Sequence, residues 1–349
     1  MRQEIVRGLQ IVGISAAVED NVNTQEKLIN NQKSTEKKRK IRNSSNIIGV
    51  KKNYYTSDRV TTVDLCLVSA ARLIKSLKWI PEDIDLLIFV TQTPDFLMPS
   101  CSSIVHDKLN LKKDCVSFDI NLGCSGYVYG LWNMYKIMEN SRYKKGLLLV
   151  GDTISKTVHS KDYINQLLFG DAGTSTAIVK KSNKKTFFLL GSDGKGSKDL
   201  IIDNSGFRKK IFKPEFKMNG KNVFHFAVNN VPTIVNKLLK KSSNKIKDIS
   251  YFIYHQANKF MIESISRELK IKKKQVLYSI SDYGNTSSAS IPVTLSKNWN
   301  KIKSSNKLCL LGFGAGFSYG GAIIDLKNKK KLNLYEYRFN KNFYSQYLD

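Results

Sequence analysis

The chain has no apolar run approaching the roughly 18–20 residues that a membrane-spanning helix needs. Nor does it open with a basic stretch leading into a continuous apolar segment and a small-residue cleavage site. The expected location is therefore the cytoplasm, with no membrane partner. Proline is scarce, with six in 349 residues, and the hydrophobic share of 41% is that of a folded globular chain. The five cysteines, Cys66, Cys101, Cys115, Cys124 and Cys309, are scattered and form no CxxC pair. That excludes a disulfide framework and a structural zinc site, and no metal is expected. Acids are the sharpest shortage: 29 Asp and Glu stand against 57 Lys and Arg, a formal charge of +28. Such a field attracts polyanions, from nucleic acid and anionic lipid to acidic carrier proteins. Because lysine is spread along the whole chain among Asn and Ile, a solvated compositional bias explains it equally well.

What the sequence does hold is a repeated order of elements. Residues 4–15 read as an opening strand. Residues 17–56 are polar, Asn- and Lys-rich, and include Lys37-Lys38-Arg39-Lys40, as expected of a surface excursion or a mobile cap. Beyond Thr61, Val63, Leu67, Ala70, Ala71, Ile74 and Leu77 recur at helical spacing, and a buried strand follows at 84–90. A helix carrying Val228, Val235, Leu238 and Leu239 leads in the same way to a strand at 249–254. Each half then offers a strand, a small-residue turn and a second helix: 115–120, 121–126 and 127–138 in the first, and 275–280, 281–285 and 289–299 in the second. Matched elements in one order predict a duplicated α/β chain. Its halves are expected at 1–180 and 181–326, with a basic, aromatic tail at 327–349. Function in such parallel sheets gathers beyond the carboxyl ends of strands.

Three residues sit in that position. Cys124 lies in Asp119-Ile-Asn-Leu-Gly-Cys-Ser-Gly-Tyr127, after a strand and at the start of a helix. Unpaired N–H groups and the positive end of the helix dipole favour the nucleophilic thiolate there. A buried structural cysteine beside a tight turn is the other reading. His255, one of only four histidines, ends a strand and opens His255-Gln-Ala-Asn258. It can take a thiol proton or donate to a thioester oxygen, or it can be a hydrogen-bonded residue at a loop entrance. Asn285, in Tyr283-Gly-Asn-Thr-Ser-Ser-Ala-Ser290, offers a donor that is neutral at every pH, or else caps the next helix. The glycine-rich segment 310–322 lacks the Lys-Ser/Thr of a phosphate loop, and it suits close approach of main chain to a ligand.

Taken together, these motifs resemble the thiolase superfamily, and β-ketoacyl-ACP synthase III within it. The resemblance spans about residues 61–324 and includes the Pro99-Ser100 turn, the Cys124 turn, Leu168-Phe-Gly-Asp-Ala-Gly173, His255-Gln-Ala-Asn258, Gly284-Asn-Thr-Ser287 and the glycine-rich hairpin. It implies a thiolase fold of duplicated βαβαβαββ halves in a five-layer α-β-α-β-α arrangement, and a homodimer. It implies a Cys124-His255-Asn285 site with an oxyanion hole from the backbone N–H of Cys124 and Ala315. No bound cofactor is implied, since substrates ride on the phosphopantetheine of acyl carrier protein or coenzyme A. Cys124 would take an acyl group from an acyl-CoA or acyl-ACP, malonyl-ACP would lose carbon dioxide, and the enolate, held by His255 and Asn285, would attack. Met98 stands where the family reaches into the partner's acyl pocket. Lys156, Asn258, Arg267, Gly314 and Gly316 fall at substrate or carrier positions. The first segment departs from the family: it lacks the Trp and Arg that clamp the adenine of coenzyme A, and His225 replaces a helical lysine. That leaves an acyl-ACP primer and a differently bound CoA both open.

Three other readings compete. An acyltransferase of the same family would pass the acyl group to an alcohol or amine, and Cys124-dependent release of carbon dioxide from malonyl-ACP separates it from a condensing enzyme. A nucleic-acid-binding protein would need basic residues interleaved with exposed aromatics, yet no helix-turn-helix, RNP or zinc signature is present, so no nucleic-acid partner is expected. A catalytically retired scaffold is opposed by the intact Cys124, His255 and Asn285.

Overall fold

The computed structural model of the chain describes residues 2–208, 213–302, 307–326 and 335–339. β1 (Arg2–Glu19) opens it, followed by β2 (Asn21–Thr24), α1 (Gln25–Asn30), α2 (Thr35–Ile48) and β3 (Lys52–Tyr55). Then come α3 (Thr62–Leu77), β4 (Leu86–Val90), α4 (Cys101–Lys108), β5 (Val116–Ile120), α5 (Gly126–Glu139), β6 (Lys145–Asp152) and α6 (Tyr163–Leu168). The chain continues through β7 (Ala172–Ser192), β8 (Leu200–Asp203), β9 (Glu215–Met218), α7 (Gly220–Lys241), β10 (Tyr251–Tyr254) and α8 (Lys259–Glu268). It ends in α9 (Ile280–Tyr283), α10 (Ser290–Lys297), α11 (Trp299–Ile302), β11 (Lys307–Gly314), β12 (Ser318–Asp325) and β13 (Tyr335–Phe339).

Two long antiparallel strands, β1 and β7, join the two sheets. The first stretch of β7, Ala172 to Val179, pairs with β6, which lies beside β4 and then β5. Its last stretch, Phe187 to Ser192, pairs with β12, which leads on to β11 and β10. β1 follows β7 along most of its length and shifts register between Arg7 and Leu9. Gly8, at φ 85°, supplies the positive φ at that irregularity, which costs a glycine little.

Burial of both sheet faces sets the layering. Every residue of β4 is buried, as the continuous run Leu-Leu-Ile-Phe-Val requires. On one side α3 and α4 supply Leu67, Ala70, Leu73 and Val105 to a core with Phe89 and Leu149. Between the sheets, Tyr127, Leu131 and Met134 of α5 and Ile291 and Leu295 of α10 meet strands of both. On the far side α7 and α8 bring Val231, Val235, Ile262 and Ile265 against Phe252 and Leu311. The stack is α-β-α-β-α, as expected. α3 begins where Thr61 and Asp64 satisfy each other's backbone N–H, a capping box.

Two expectations need correction. Residues 17–56 are a packed cap: Leu28, Ile29 and Ile41 are buried with Leu167 and Ile280, and Ser45 Oγ donates to Val50 O at 2.7 Å. The polar composition concealed this because few apolar residues suffice to anchor two short helices. The strand expected at 275–280 is reduced to one bridge, Val276 to Phe252. The buried Gln256 side chain accepts from Ser279 N (2.9 Å) and Ile280 N (3.2 Å), replacing a strand partner and turning the chain into α9. Of the tail expected at 327–349, β13 runs parallel to residues 15–19 of β1, and 327–334 and 340–349 lie outside the described residues. Among the described residues no helix is long and apolar enough to cross a membrane.

Candidate active site

Glycines bring the end of β11 onto the Cys124 turn. A Cβ at Gly314 would lie 2.4 Å from Cys124 Cβ and 2.7 Å from its Sγ, and one at Gly312 would lie 2.8 Å from Ser125 Cα. Only a bare backbone can pass so close, so Ala315 N–H and the N–H of Cys124 itself both reach the sulfur. Cys124 opens onto a cavity of ≈ 860 Å³ that His255, Asn285, Phe313, Gly314, Ala315 and Gly316 also line. The three residues from three separate loops share one chamber.

His255 leaves β10 with its N–H donating to Leu311 O at 2.6 Å. Its Nδ1 lies 2.7 Å from Ser290 Oγ, and the edge of Phe313 packs on the ring at 5.7 Å. Asn285 is held through backbone: its N–H donates to Leu168 O at 2.7 Å, and its carbonyl accepts from Gly170 N at 3.1 Å. The Leu168-to-Gly173 motif thus positions the amide. Asn285 Oδ1 accepts from Ser287 N at 3.0 Å, which leaves Nδ2 as the donor.

Burial governs the electrostatics. It pushes the Cys124 thiol up to about 12; the Asp152 charge adds to the rise, and hydrogen bonds from Ser287 and from the N–H groups of Cys124 and Ala315 oppose it. The expected thiolate bias of a helix N-terminus is therefore outweighed. Cys124 lies two residues before the first residue of α5, and the surrounding protein removes the water that would solvate the charge. Burial also lowers His255 to about 3, with a backbone hydrogen bond to Ser287 opposing, so the ring is neutral at physiological pH. A folded value below the unfolded one means the unfolded chain takes the proton first. Stability is then fully present above about pH 6.5 and falls as pH drops toward 3. Urea titrations at pH 7 and 5 should show wild type losing about 2 kcal/mol more than His255→Gln over that interval.

The remaining expected residues divide. Lys156 lines the cavity, and its Nζ donates to Ser57 O at 2.7 Å. Asn258 also lines it, and caps α8 by accepting from Met261 N at 2.7 Å. Arg267 is exposed in the last turn of α8, away from the cavity lining. Met98 is 84% exposed and is likewise outside the lining. His225 is exposed on α7.

Residues outside the expected set complete the site. Buried Asp152, at the end of β6, accepts from Gln92 N (2.7 Å), Thr91 Oγ1 (3.0 Å), Ser288 N (3.0 Å) and Ser288 Oγ (2.6 Å). It ties the loop after β4 to the loop carrying Asn285. Nothing local in Val150-Gly-Asp152 signals this, because its partners lie far away in sequence. Asp152→Ala should cost about 3 kcal/mol or more in denaturant midpoint stability, since it strands several buried donors at once.

A family model described as 3-oxoacyl-[acyl-carrier-protein (ACP)] synthase III matches residues 118–194, and one described as its C terminal matches residues 239–326. The first range holds Cys124, and the second holds His255, Asn285 and Ala315. A beta-ketoacyl-[acyl-carrier-protein] synthase III of Clostridioides difficile (strain 630) is 34% identical over 287 residues, covering 79% of this chain and 87% of that one. The protein of the same name from Fusobacterium nucleatum is 33% identical over 288 residues, with 79% and 87% covered. The crystal structure of a 3-oxoacyl-(acyl-carrier protein) synthase from Burkholderia xenovorans LB400 superposes with a TM-score of 0.91 at 30% identity, covering 96% of this chain and 99% of that one. With the Cys124 turn and the His255 and Asn285 loops inside the matched segments of a thiolase fold, the chain belongs to the 3-oxoacyl-[acyl-carrier-protein] synthase III family of acyltransferases.

Proposed function

We propose that the protein catalyses the decarboxylative condensation of an acyl thioester with malonyl-ACP in fatty-acid biosynthesis, through an acyl-Cys124 intermediate. The observation that carries this is the convergence of one sulfur, two backbone N–H groups, an imidazole and a carboxamide on a single chamber. In the loading step Sγ attacks the thioester carbonyl, whose oxygen sits between the N–H groups of Cys124 and Ala315. The carrier thiolate leaves and takes up the proton given up by the cysteine. In the second step malonyl-ACP loses carbon dioxide. Its enolate oxygen is held by Asn285 Nδ2 and by the neutral His255, whose Nδ1 faces Ser290 Oγ. The carbanion forms the new C–C bond, the C–S bond breaks, the electron pair returns to Sγ, and the sulfur takes a proton from solvent to restore the thiol. Neutral donors suit an anion that exists only transiently in a water-poor site.

A second copy of the chain is part of this reading. Among the described residues β5 ends its sheet with an unpaired outer edge, and its Val116 is 42% exposed. Asp119 of β5 accepts from Cys101 N (2.7 Å) and Ser102 N (2.8 Å), which seats the loop bearing the exposed Phe96, Leu97 and Met98 nearby. Pairing of β5 edges across a twofold axis would cover both. The test of function is release of carbon dioxide from carboxyl-labelled malonyl-ACP. It should require an acyl donor, and the acyl mass should appear on Cys124. Acyl loading without any such release would overturn the condensation.

A further inference from the structure

We infer that Ser287 is a further catalytic residue, whose hydroxyl donates a hydrogen bond to Cys124 Sγ and stabilises negative charge on the sulfur when it attacks and again when it is expelled. This rests on the proposed acyl-Cys124 chemistry and adds a group to it.

Several independent features meet at this residue. It lines the chamber with Cys124, and its hydroxyl lies 3.3 Å from where a Cβ on Gly123, the residue before the nucleophile, would stand, close enough for a hydrogen bond to favour the charged sulfur. The backbone there is costly: Ser287 has φ 47°, a left-handed conformation that favours glycine or asparagine, inside a buried loop. Its N–H donates to Asn285 Oδ1 at 3.0 Å, so the same strained peptide aims the amide and places the hydroxyl. The need is visible in the surroundings. Asp152 lies close enough for its charge to disfavour a thiolate, and hydrogen bonds act in the opposite sense. Backbone N–H groups of Cys124 and Ala315 also reach the sulfur, but in the loading step they turn to the carbonyl oxygen. The hydroxyl then remains as the donor to sulfur. In the condensation the C–S bond breaks, the pair returns to Sγ, and the same hydrogen bond receives it.

Ser287→Ala and Ser287→Gly both remove the hydroxyl, and the glycine variant also relieves the positive φ, which secures a folded protein if the alanine variant is unstable. Iodoacetamide alkylation of Cys124, followed by intact mass from pH 7 to 10, reads the thiolate without any carrier. Both variants should react about tenfold more slowly at a given pH, with the profile displaced to higher pH and the melting temperature of the glycine variant close to wild type. Acyl loading should fall by a similar factor. If wild type loads its acyl group on Cys124 and the variants match it in rate and profile, the role of Ser287 is overturned and the acyl-Cys124 reading stands. If wild type never acylates Cys124, the reading itself fails. An alanine variant that is slow while the glycine variant matches wild type would assign the effect to backbone geometry and also overturn the hydroxyl's role.

Discussion

Cys124→Ser is expected to lower condensation turnover by about 10⁴-fold or more, and Cys124→Ala to abolish the acyl adduct. Among the described residues, Cys124 is the cysteine that lines the cavity. Burial pushes Cys101 to about 12 and Cys115 to about 11, and neither lines the cavity. Cys66 and Cys309 are fully buried in the core. Cys124 is pushed up as far as Cys101, but donors surround it: Ser287 and the N–H groups of Cys124 and Ala315 each favour its charged form. It is a thiol at rest that becomes a thiolate within the reaction. A serine oxygen is a much weaker acid, and it would hang from a shorter bond in a pocket shaped around sulfur by Gly312 and Gly314. Intact-mass analysis after incubation with acyl-CoA or acyl-ACP, with peptide mapping, checks this. A serine variant within tenfold of wild type, or an adduct on another cysteine, would remove Cys124 from the mechanism.

The parts of this arrangement that could be read from sequence are those specified locally. The apolar run at 84–90 became β4, the helical spacing after Thr61 became α3, and the glycine-flanked Cys124 became a turn between β5 and α5. His255 and Asn285 stood out by type and by position at loop entrances. What was hidden depends on partners distant in the chain. β7 runs through Lys180 to Lys185, a polar stretch that looks like a loop, because β1 pairs with it on either side of the irregularity at Gly8. Gln256 redirects residues 276–283 with a side chain, which periodicity cannot register. Asp152 reads as an ordinary acid at a strand end, until Gln92 and Ser288 are brought to it. The helix terminus favours a charged Cys124, but the larger effect, desolvation, depends on the whole fold and so has no local signature. Ser287 lay inside a quoted motif, but its positive φ has no signature in a serine.

His255→Ala and Asn285→Ala should each lower condensation by about 10²–10³-fold while leaving acyl loading within tenfold of wild type. The two steps place charge on different atoms. In the proposed mechanism loading builds it on the oxygen between the N–H groups of Cys124 and Ala315, which neither substitution touches. Decarboxylation builds it on the malonyl oxygen, for which Asn285 Nδ2 and the neutral imidazole are the proposed partners. Asn285→Asp sharpens the test. It keeps an oxygen to accept from Ser287 N but replaces the donor with an acceptor that bears charge at neutral pH. It should therefore lose more condensation than alanine does, although it is the closer match in shape. Single-turnover transfer of labelled acyl groups to the enzyme reads the first step, and release of labelled carbon dioxide from malonyl-ACP reads the second. A parallel fall of both steps in folded variants would mean that His255 and Asn285 serve Cys124 itself. An aspartate variant more active than alanine would mean that shape outweighs the sign of the charge facing the enolate.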